Sequence, residues 1–166
     1  MLHNLLDDVP QIGRLEWIGL STERRSIIQP VSEVEVRVDH GLSGDHHSEH
    51  KVGGKRQVTM IQKEHLPVVA QLIEREEVTP DLLRRNLMIS GINLKSLKKS
   101  RFRIGEVIFE GTGNCAPCSL MERNLGKGGY QAMRGHGGIT TKVLSGGTIH
   151  VGDEVVFLQD HDLPDT

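Results

Sequence analysis

The sequence has few of the features from which a membrane span, a disulfide framework or an aromatic core is built. Aromatic residues make up only 3% of its 166 residues, and it contains two cysteines. We therefore expect a core made mainly of Val, Ile and Leu. No apolar run approaches the roughly 20 residues that span a membrane, and the N-terminal residues lack the charged and apolar regions of a signal peptide. Two cysteines without such a signal indicate a reducing compartment, so we predict a cytoplasmic protein without a membrane partner.

The sequence also lacks an excess of charge of one sign. Its 20 Lys and Arg nearly balance its 22 Asp and Glu, so the net charge is −2. A nucleic-acid-binding domain would carry a basic surplus, so no nucleic-acid partner is predicted. The length is that of one domain, and residues 1–166 are predicted to form a single domain. Glycine is plentiful, with 19 residues, which indicates tight turns, bulges and close backbone approaches.

Alternation of side chains indicates several short strands. Residues 33–38 alternate between charged residues and valine, which is typical of a half-buried antiparallel strand. Residues 57–61, 87–91 and 101–111 are also strand-like. The core side chains predicted from these patterns and from the C-terminal strands are Val34, Val36, Val38, Val107, Phe109, Ile149, Val151 and Val155.

The first and last strand-like segments carry more specific predictions. In residues 14–21, the side chains of Leu15 and Trp17 share the predicted inner face with Gly19. Residues 146–159 predict a hairpin whose turn lies at Gly152-Asp153.

Two helices are predicted between the strands. Residues 63–77 repeat apolar side chains at helical spacing, and a second helix start is indicated by Thr79 as N-cap and Pro80 at the first helical position. Since these helices do not alternate with strands, the predicted fold class is mainly β: a barrel of antiparallel or mixed strands with a few short helices.

Cys115 and Cys118, in the segment GTGNCAPCSLMERNLG, are candidates for chemistry, and three interpretations are open. Cys118 could be a thiolate that bonds a soft metal or carries sulfur, activated by a helix start or a nearby arginine. The pair could be a thioredoxin-like dithiol. Both could instead be small buried apolar side chains. A zinc site is not indicated, because there is no second CxxC.

The Gly-rich segment between Gly128 and Val155 is a candidate anion site. Its backbone amides could hold an anion, with Arg134 or Lys142 adding charge. Its spacing matches neither the P-loop nor the dinucleotide fingerprint. The alternative is that the glycines flanking strands serve tight barrel turns.

The loop after residue 38 contains His40, His46, His47 and His50 close to Asp45. This cluster could bind a transition metal. It lacks the regular spacing that would preset a metal geometry, so an exposed polar loop is the alternative interpretation.

Taken together and in order, five segments resemble the MOSC domain, named for the C-terminal domain of molybdenum cofactor sulfurase. The resemblance covers roughly residues 12–158, nearly the whole chain. The segments are GLSGDHHSEH, KRQVTMIQKEHL, LLRRNLMISGINL, RIGEVIFEGTGNCAPCSLME and MRGHGGITTKVLSGGTIHVGDEV.

The resemblance implies a β-barrel like that of pyruvate kinase and binding of the molybdopterin form of the molybdenum cofactor. It implies that Cys118 ligates molybdenum or carries sulfur. Arg85 and Asn86 match a pair that contacts the cofactor in relatives. The phosphate of molybdopterin also requires fixed donors and positive charge, which we expect to converge on one cleft with Cys118. The predicted cofactor-binding residues are Arg56, Arg85, Asn86, Arg134, Gly135, Gly137 and Gly138.

Two features of this chain differ from relatives. Relatives often have Gly-Asp-Arg-His where this chain has His46 after Asp45, which removes an arginine. Fused sulfurases carry a pyridoxal-phosphate desulfurase domain ahead of the barrel, and 166 residues cannot contain it. We therefore expect pyridoxal phosphate only on a separate partner desulfurase.

Two functional classes follow from the resemblance. In one, the protein is a molybdenum cofactor-dependent oxidoreductase that reduces small N-hydroxylated substrates with electrons from a redox partner, with Cys118 on the metal. In the other, Cys118 holds a persulfide received from a cysteine desulfurase. The thioredoxin-like dithiol remains a third alternative.

Overall fold

A computed structural model describes residues 5–23, 26–46, 48 and 52–163. The strands are β1 (Ile12–Leu20), β2 (Gln29–Val31), β3 (Glu33–Arg37), β4 (Gly41–Leu42), β5 (Val58–Gln62), β6 (Leu87–Ser90), β7 (Arg101–Ile104), β8 (Val107–Asn114), β9 (Ile139–Ser145), β10 (Gly147–His150) and β11 (Glu154–Leu158). The α-helices are α1 (His65–Leu72), α2 (Pro80–Leu83), α3 (Ser119–Leu125) and α4 (Gly129–Met133), and 3-10 helices span Leu94–Leu97 and Asp160–Asp162. No helix within these ranges is long and apolar enough to cross a membrane.

Seven of the strands close into a barrel, which confirms the predicted mainly β class. Around the barrel the order is β1-β11-β7-β8-β9-β5-β6, and β6 pairs back with β1. Strands β5 and β6 are parallel, while the other pairs are antiparallel. A parallel pair needs a crossover connection, and α1 and α2 occupy it. Strand β2 pairs with β1, and β10, β3 and β4 form a small second sheet.

The interior of the barrel is filled mainly by aliphatic side chains, as the composition predicts. Of the predicted core residues, Val34, Val36, Val107, Phe109, Ile149 and Val155 are buried. The prediction was wrong for Val38 and Val151, which are 45% and 44% exposed. Both follow the last residue of a strand, since β3 ends at Arg37 and β10 at His150. The alternating pattern therefore stops one residue earlier than the sequence suggested.

A bulge in β1 changes the predicted face of that strand. Its register with β6 shifts between Leu15 and Trp17, and a bulge of this kind reverses the alternation beyond it. Leu15 and Ile18 therefore both belong to the barrel core. Trp17 instead packs against a second apolar cluster formed largely by the helices, so the predicted common face was wrong for Trp17.

The predicted C-terminal hairpin was also wrong. Strand β10 pairs with β3 in the small sheet, whereas β11 pairs with β1 and β7 in the barrel. A turn does lie at Gly152, whose φ is +102°. It carries the chain from one sheet to the other, so the residues on either side of it find different partners.

The helix signals are confirmed where they are local. Helix α2 begins at Pro80 with Thr79 as its N-cap, and Pro67 falls in the first turn of α1. Helix α2 ends at Leu83, and Arg84 takes a left-handed conformation with φ +55°. Helix α3 begins at Ser119, directly after Cys118. These ends bring the connections around residues 84–86 and 115–118 to the same part of the barrel rim.

Candidate functional site

The two cysteines lie on one short connection but differ in access to solvent. Strand β8 ends at Asn114, and Cys118 is the extended N-cap residue of α3. The side chain of Cys118 is exposed. Cys115 is only 2% exposed, and its backbone N–H donates to the carbonyl oxygen of Gly138 at 2.8 Å. Only Cys118 therefore presents a thiol that an external ligand can reach.

Cys118 opens onto a cavity of about 380 Å³, here called the Cys118 cleft. Its walls come from the ends of β1, β5, β6 and α3 and from the loops beside them. The lining residues are Ser21, Ile28, Asp45, His46, Arg56, Gln57, Thr59, Arg84, Asn86, Cys118, Ser119 and Leu120. The structure thus brings three members of the predicted set, Cys118, Arg56 and Asn86, to one cleft.

Asn86 is held in the cleft by hydrogen bonds that it both accepts from and donates to Thr59, and by one that it donates to Gly19. Asn86 Oδ1 accepts from the backbone N–H of Thr59 at 3.1 Å and from its hydroxyl at 3.3 Å. The backbone N–H of Asn86 donates to the Thr59 hydroxyl oxygen at 3.1 Å, and Asn86 Nδ2 donates to the carbonyl oxygen of Gly19 at 3.3 Å. The amide group is therefore fixed between β1 and β5.

Arg84 also lines the cleft, although the predicted set of cofactor-binding residues does not include it. Its Nη1 donates to the carbonyl oxygen of Ser26 at 2.7 Å and its Nη2 to the hydroxyl of Ser21 at 3.1 Å. A non-glycine residue with positive φ is uncommon, and such strain is concentrated at functional sites. The sequence does contain a signal for Arg84. It lies between a helix that begins with Pro80 and the strand that begins at Leu87, so the chain must turn sharply there.

The cleft also contains a carboxylate. Asp45 is buried and accepts from the backbone N–H of Ser21 at 2.8 Å through Oδ1. Arg56 and Arg84 therefore outnumber the acidic side chain among the lining residues. This balance favours an anionic group beside the two arginines.

Arg85 lies behind the cleft rather than on its surface. It is 2% exposed, its Nε donates to the carbonyl oxygen of Gly137 at 2.9 Å, and its Nη1 donates to that of Leu83 at 2.8 Å. Nη2 is buried and finds no hydrogen-bond partner within the described part of the chain. Burial lowers the pKa of the Arg85 guanidinium, while its proximity to Cys115 and Cys118 acts in the opposite direction.

The remaining predicted residues line a second cavity, of about 530 Å³, here called the glycine-turn cavity. Its lining residues are His65, Asn93, Lys95, Asn114, Cys115, Ala116, Pro117, Tyr130, Arg134, Gly135, Gly137, Gly138 and Ile139. Arg134 Nη1 donates to the side-chain oxygen of Gln131 at 3.1 Å. The structure therefore divides the predicted set between two cavities that share the 114–118 connection.

Of the predicted histidine cluster, His47 and His50 lie outside the described residues. His46 lines the Cys118 cleft, and His40 Nδ1 lies 3.3 Å from the carbonyl oxygen of Ser48. Among the residues whose positions are described, no group of three or more His, Cys, Asp or Glu side chains could hold a metal ion.

A comparison with protein families decides the identity of the barrel. The sequence model of the MOSC domain matches residues 47–156, which is about two thirds of the chain. The chain belongs to the MOSC domain family. No curated protein matches its sequence.

Solved structures have the same fold as this MOSC domain. YuaD from Bacillus subtilis superimposes with a TM-score of 0.76 and 19% identity, over 89% of this chain and 97% of that one. YiiM from Escherichia coli gives a TM-score of 0.67 and 19% identity, over 88% and 70% of the two chains. YiiM from Geobacillus stearothermophilus gives 0.70 and 16%, over 89% and 75%. At these sequence identities the likeness shows a common fold alone.

The chemistry of the Cys118 cleft fits the cofactor with which MOSC domains are associated. The molybdenum cofactor, in which molybdopterin holds the metal, presents a soft metal, a polar ring system and a phosphate. The cleft supplies an exposed thiol at Cys118, neutral donors and acceptors at Thr59 and Asn86, and the guanidinium groups of Arg56 and Arg84. Thiolate suits a soft metal, and arginine suits phosphate. A cavity of about 380 Å³ lies within the usual range for small-molecule sites, about 300–1,000 Å³.

Proposed function

We propose that this MOSC domain binds the molybdenum cofactor in the Cys118 cleft and reduces small N-hydroxylated compounds. The observation that carries the proposal is the meeting of an exposed thiol, Cys118, with Arg56, Arg84 and Asn86 on one cleft. Bound there, the cofactor would supply two-electron redox chemistry. The net reaction would convert R–NHOH, two electrons and two protons into R–NH₂ and water, with the electrons delivered by a separate redox partner.

The side chains of the cleft have distinct roles in this proposal. The Cys118 thiolate is the metal ligand, and its place at the start of α3 keeps it accessible. Arg56 and Arg84 neutralise the phosphate. Asn86, whose amide is fixed by Thr59 and Gly19, orients the pterin by hydrogen bonding. Arg85 supports this arrangement from behind by tying the backbone at Leu83 to that at Gly137.

A second function, sulfur transfer, is favoured by the same exposed thiol. Cys118 would carry a persulfide received from a partner desulfurase. Both functions need only one thiol that a cofactor or a partner can reach, and Cys118 is that thiol because Cys115 is buried.

The test is to produce the protein in a host that makes the cofactor and to measure molybdenum, pterin and cyanide-labile sulfur on the same sample. Molybdenum and pterin near one per chain are expected. Cys118→Ser should lose the molybdenum, while the matched variant Cys115→Ser should keep most of it. Sulfane sulfur without molybdenum would support the carrier function instead. Equal loss in both cysteine variants would support the dithiol, and a sample with neither molybdenum nor sulfane sulfur would contradict the first two functions.

A further inference from the structure

The glycine-turn cavity is a second concave site on the other side of the cysteine connection. Residues 114–117 line it, whereas Cys118 and the two residues after it line the Cys118 cleft. At about 530 Å³ it is the larger of the two, and its volume also lies within the usual range for small-molecule sites, about 300–1,000 Å³. No role in the proposed function requires this space.

The charged side chains that line the glycine-turn cavity are cationic. Lys95 and Arg134 contribute cations, and no Asp or Glu is found among the described residues that line it. The charge excess is larger than in the Cys118 cleft, where Asp45 offsets part of the arginine charge. A concave site lined by cations without carboxylates concentrates anions.

The remaining side chains suit an anion that carries an organic group. His65 packs edge-on against His136, with the ring centroids 5.3 Å apart, and His136 is itself held by a 3.0 Å contact between Nδ1 and the carbonyl oxygen of Ala132. Burial lowers the pKa of His65, helped by the neighbouring His136, so His65 is neutral at pH 7. The rings of His65 and Tyr130 line the same cavity as the two cations.

Glycine shapes the turn at residues 135–138, which forms one wall of the cavity. Gly135 and Gly138 have φ values of +80° and +83°, a region that other residues rarely adopt. A Cβ atom at Gly137 would collide with the carbonyl oxygen of Cys115, and it would lie 3.3 Å from the unpartnered Arg85 Nη2. The turn can therefore approach the cysteine connection closely only with glycine at this point.

We propose that the glycine-turn cavity binds a small aromatic phosphate monoester at a site separate from the Cys118 cleft. Arg134 and Lys95 hold the phosphate, because a guanidinium can bind two phosphate oxygens at once. Tyr130 and His65 contact the ring. This site goes beyond the proposed function and does not require the cofactor.

The experiment uses the full chain produced in a host that cannot make the molybdenum cofactor, with phenyl phosphate as the probe. Isothermal titration calorimetry should show binding of phenyl phosphate and no measurable binding of phenol, which lacks the charge. Amide signals of Gly135, Gly137 and Gly138 should shift in two-dimensional NMR spectra, and those of Ser21 and Thr59 should not. Inorganic phosphate should bind more weakly than phenyl phosphate, because it cannot contact the rings.

Variants of residues in each cavity show which of the two binds phenyl phosphate. Arg134→Gln should weaken phenyl phosphate binding at least tenfold, and Lys95→Gln should also weaken it. Arg56→Gln, in the other cleft, should leave it unchanged. The exposed position of Arg134 should leave its variant folded, which the melting temperature checks.

Three results of these titrations would overturn the inference: no binding of phenyl phosphate to the unaltered protein, equal binding to Arg134→Gln, or loss of binding in Arg56→Gln. Loss of molybdenum from Arg134→Gln in a cofactor-producing host would also overturn it, because the cavity would then be part of the cofactor site. Failure of the proposed function leaves these titrations unaffected, since they use protein without the cofactor.

Discussion

Arg85 Nε donates a 2.9 Å hydrogen bond to the carbonyl oxygen of Gly137, 52 residues further along the chain. Arg85 stands between Arg84 and Asn86, which line the Cys118 cleft, while Gly137 lines the glycine-turn cavity. One buried guanidinium thus joins the backbones behind the two cavities. Its second bond, from Nη1 to the carbonyl oxygen of Leu83, fixes the end of α2 as well.

Replacing Arg85 should therefore lower the free energy of unfolding of the protein. Arg85→Ala leaves the carbonyl oxygens of Gly137 and Leu83 without their donors, and hydrogen bonds from charged groups contribute about 1.5–3 kcal/mol each. Relief of the buried cation offsets part of this, so we expect the free energy of unfolding to fall by about 2–4 kcal/mol. Urea unfolding followed by circular dichroism measures it.

Arg101→Ala is the control for that experiment. Arg101 is exposed and pairs with Glu110 at 3.1 Å, and exposed ion pairs typically contribute at most about 1 kcal/mol. An Arg85→Ala protein as stable as Arg101→Ala would show that the bridge between the two backbones contributes little.

The two thiols should react at very different rates in the native protein. Cys118 is exposed and Cys115 is buried, and a thiol must be reached by a reagent before it can react. With Ellman's reagent, one thiol per chain should react rapidly under native conditions and the second only after unfolding. Cys118→Ser should abolish the rapid phase and Cys115→Ser should keep it. Two thiols reacting together would contradict the buried position of Cys115.

Two glycines of one turn should tolerate alanine differently. Gly135 and Gly138 have nearly equal positive φ values, +80° and +83°. A Cβ atom at Gly135 would meet nothing within 4 Å, whereas one at Gly138 would collide with the carbonyl oxygen of Met60. Gly135→Ala should cost about 1–2 kcal/mol for the left-handed backbone alone.

Gly138→Ala should cost about a further 1–3 kcal/mol, the usual penalty of overpacking. The difference between the two melting temperatures isolates the steric contribution from the conformational one. Equal melting temperatures would mean that Met60 and the strand it belongs to move aside.

His65 should titrate below its ordinary pKa of 6.5, because burial and the neighbouring His136 disfavour the imidazolium. The unfolded chain then binds more protons than the folded one as the pH falls from 6.5. The stability associated with neutral His65 is therefore present above pH 6.5 and is lost progressively as the pH falls toward the folded pKa.

An NMR titration of the imidazole protons measures this pKa directly. His136→Asn should raise the His65 midpoint, since it removes the nearby positive charge. Glu64→Gln should lower it further, because the Glu64 carboxylate favours the charged form. A midpoint at or above 6.5 in the unaltered protein would contradict the expected effect of burial and of His136 on the His65 pKa.

Features encoded by neighbouring residues could be predicted from the sequence. The alternation of residues 33–37 places Val34 and Val36 in the core, and Thr79 with Pro80 marks the start of α2. These signals depend on backbone conformation and side-chain spacing within a few residues, which tertiary contacts here do not overrule. The segments around Cys118 likewise indicated the MOSC family and its barrel, because their order along the chain is itself a sequence property.

Pairing between distant segments was decided only by the tertiary structure. A period of two says that a strand has an inner face, but it does not say which strand lies beside it, and so β10 pairs with β3 rather than with β11. The bulge at Leu15 and Trp17 arises from the register with β6. Cys118, Arg56 and Asn86 meet on one cleft, while Arg134 and the glycine turn face another cavity. Closure of the barrel sets which loop ends converge, and that closure is a property of all seven strands together rather than of any one segment.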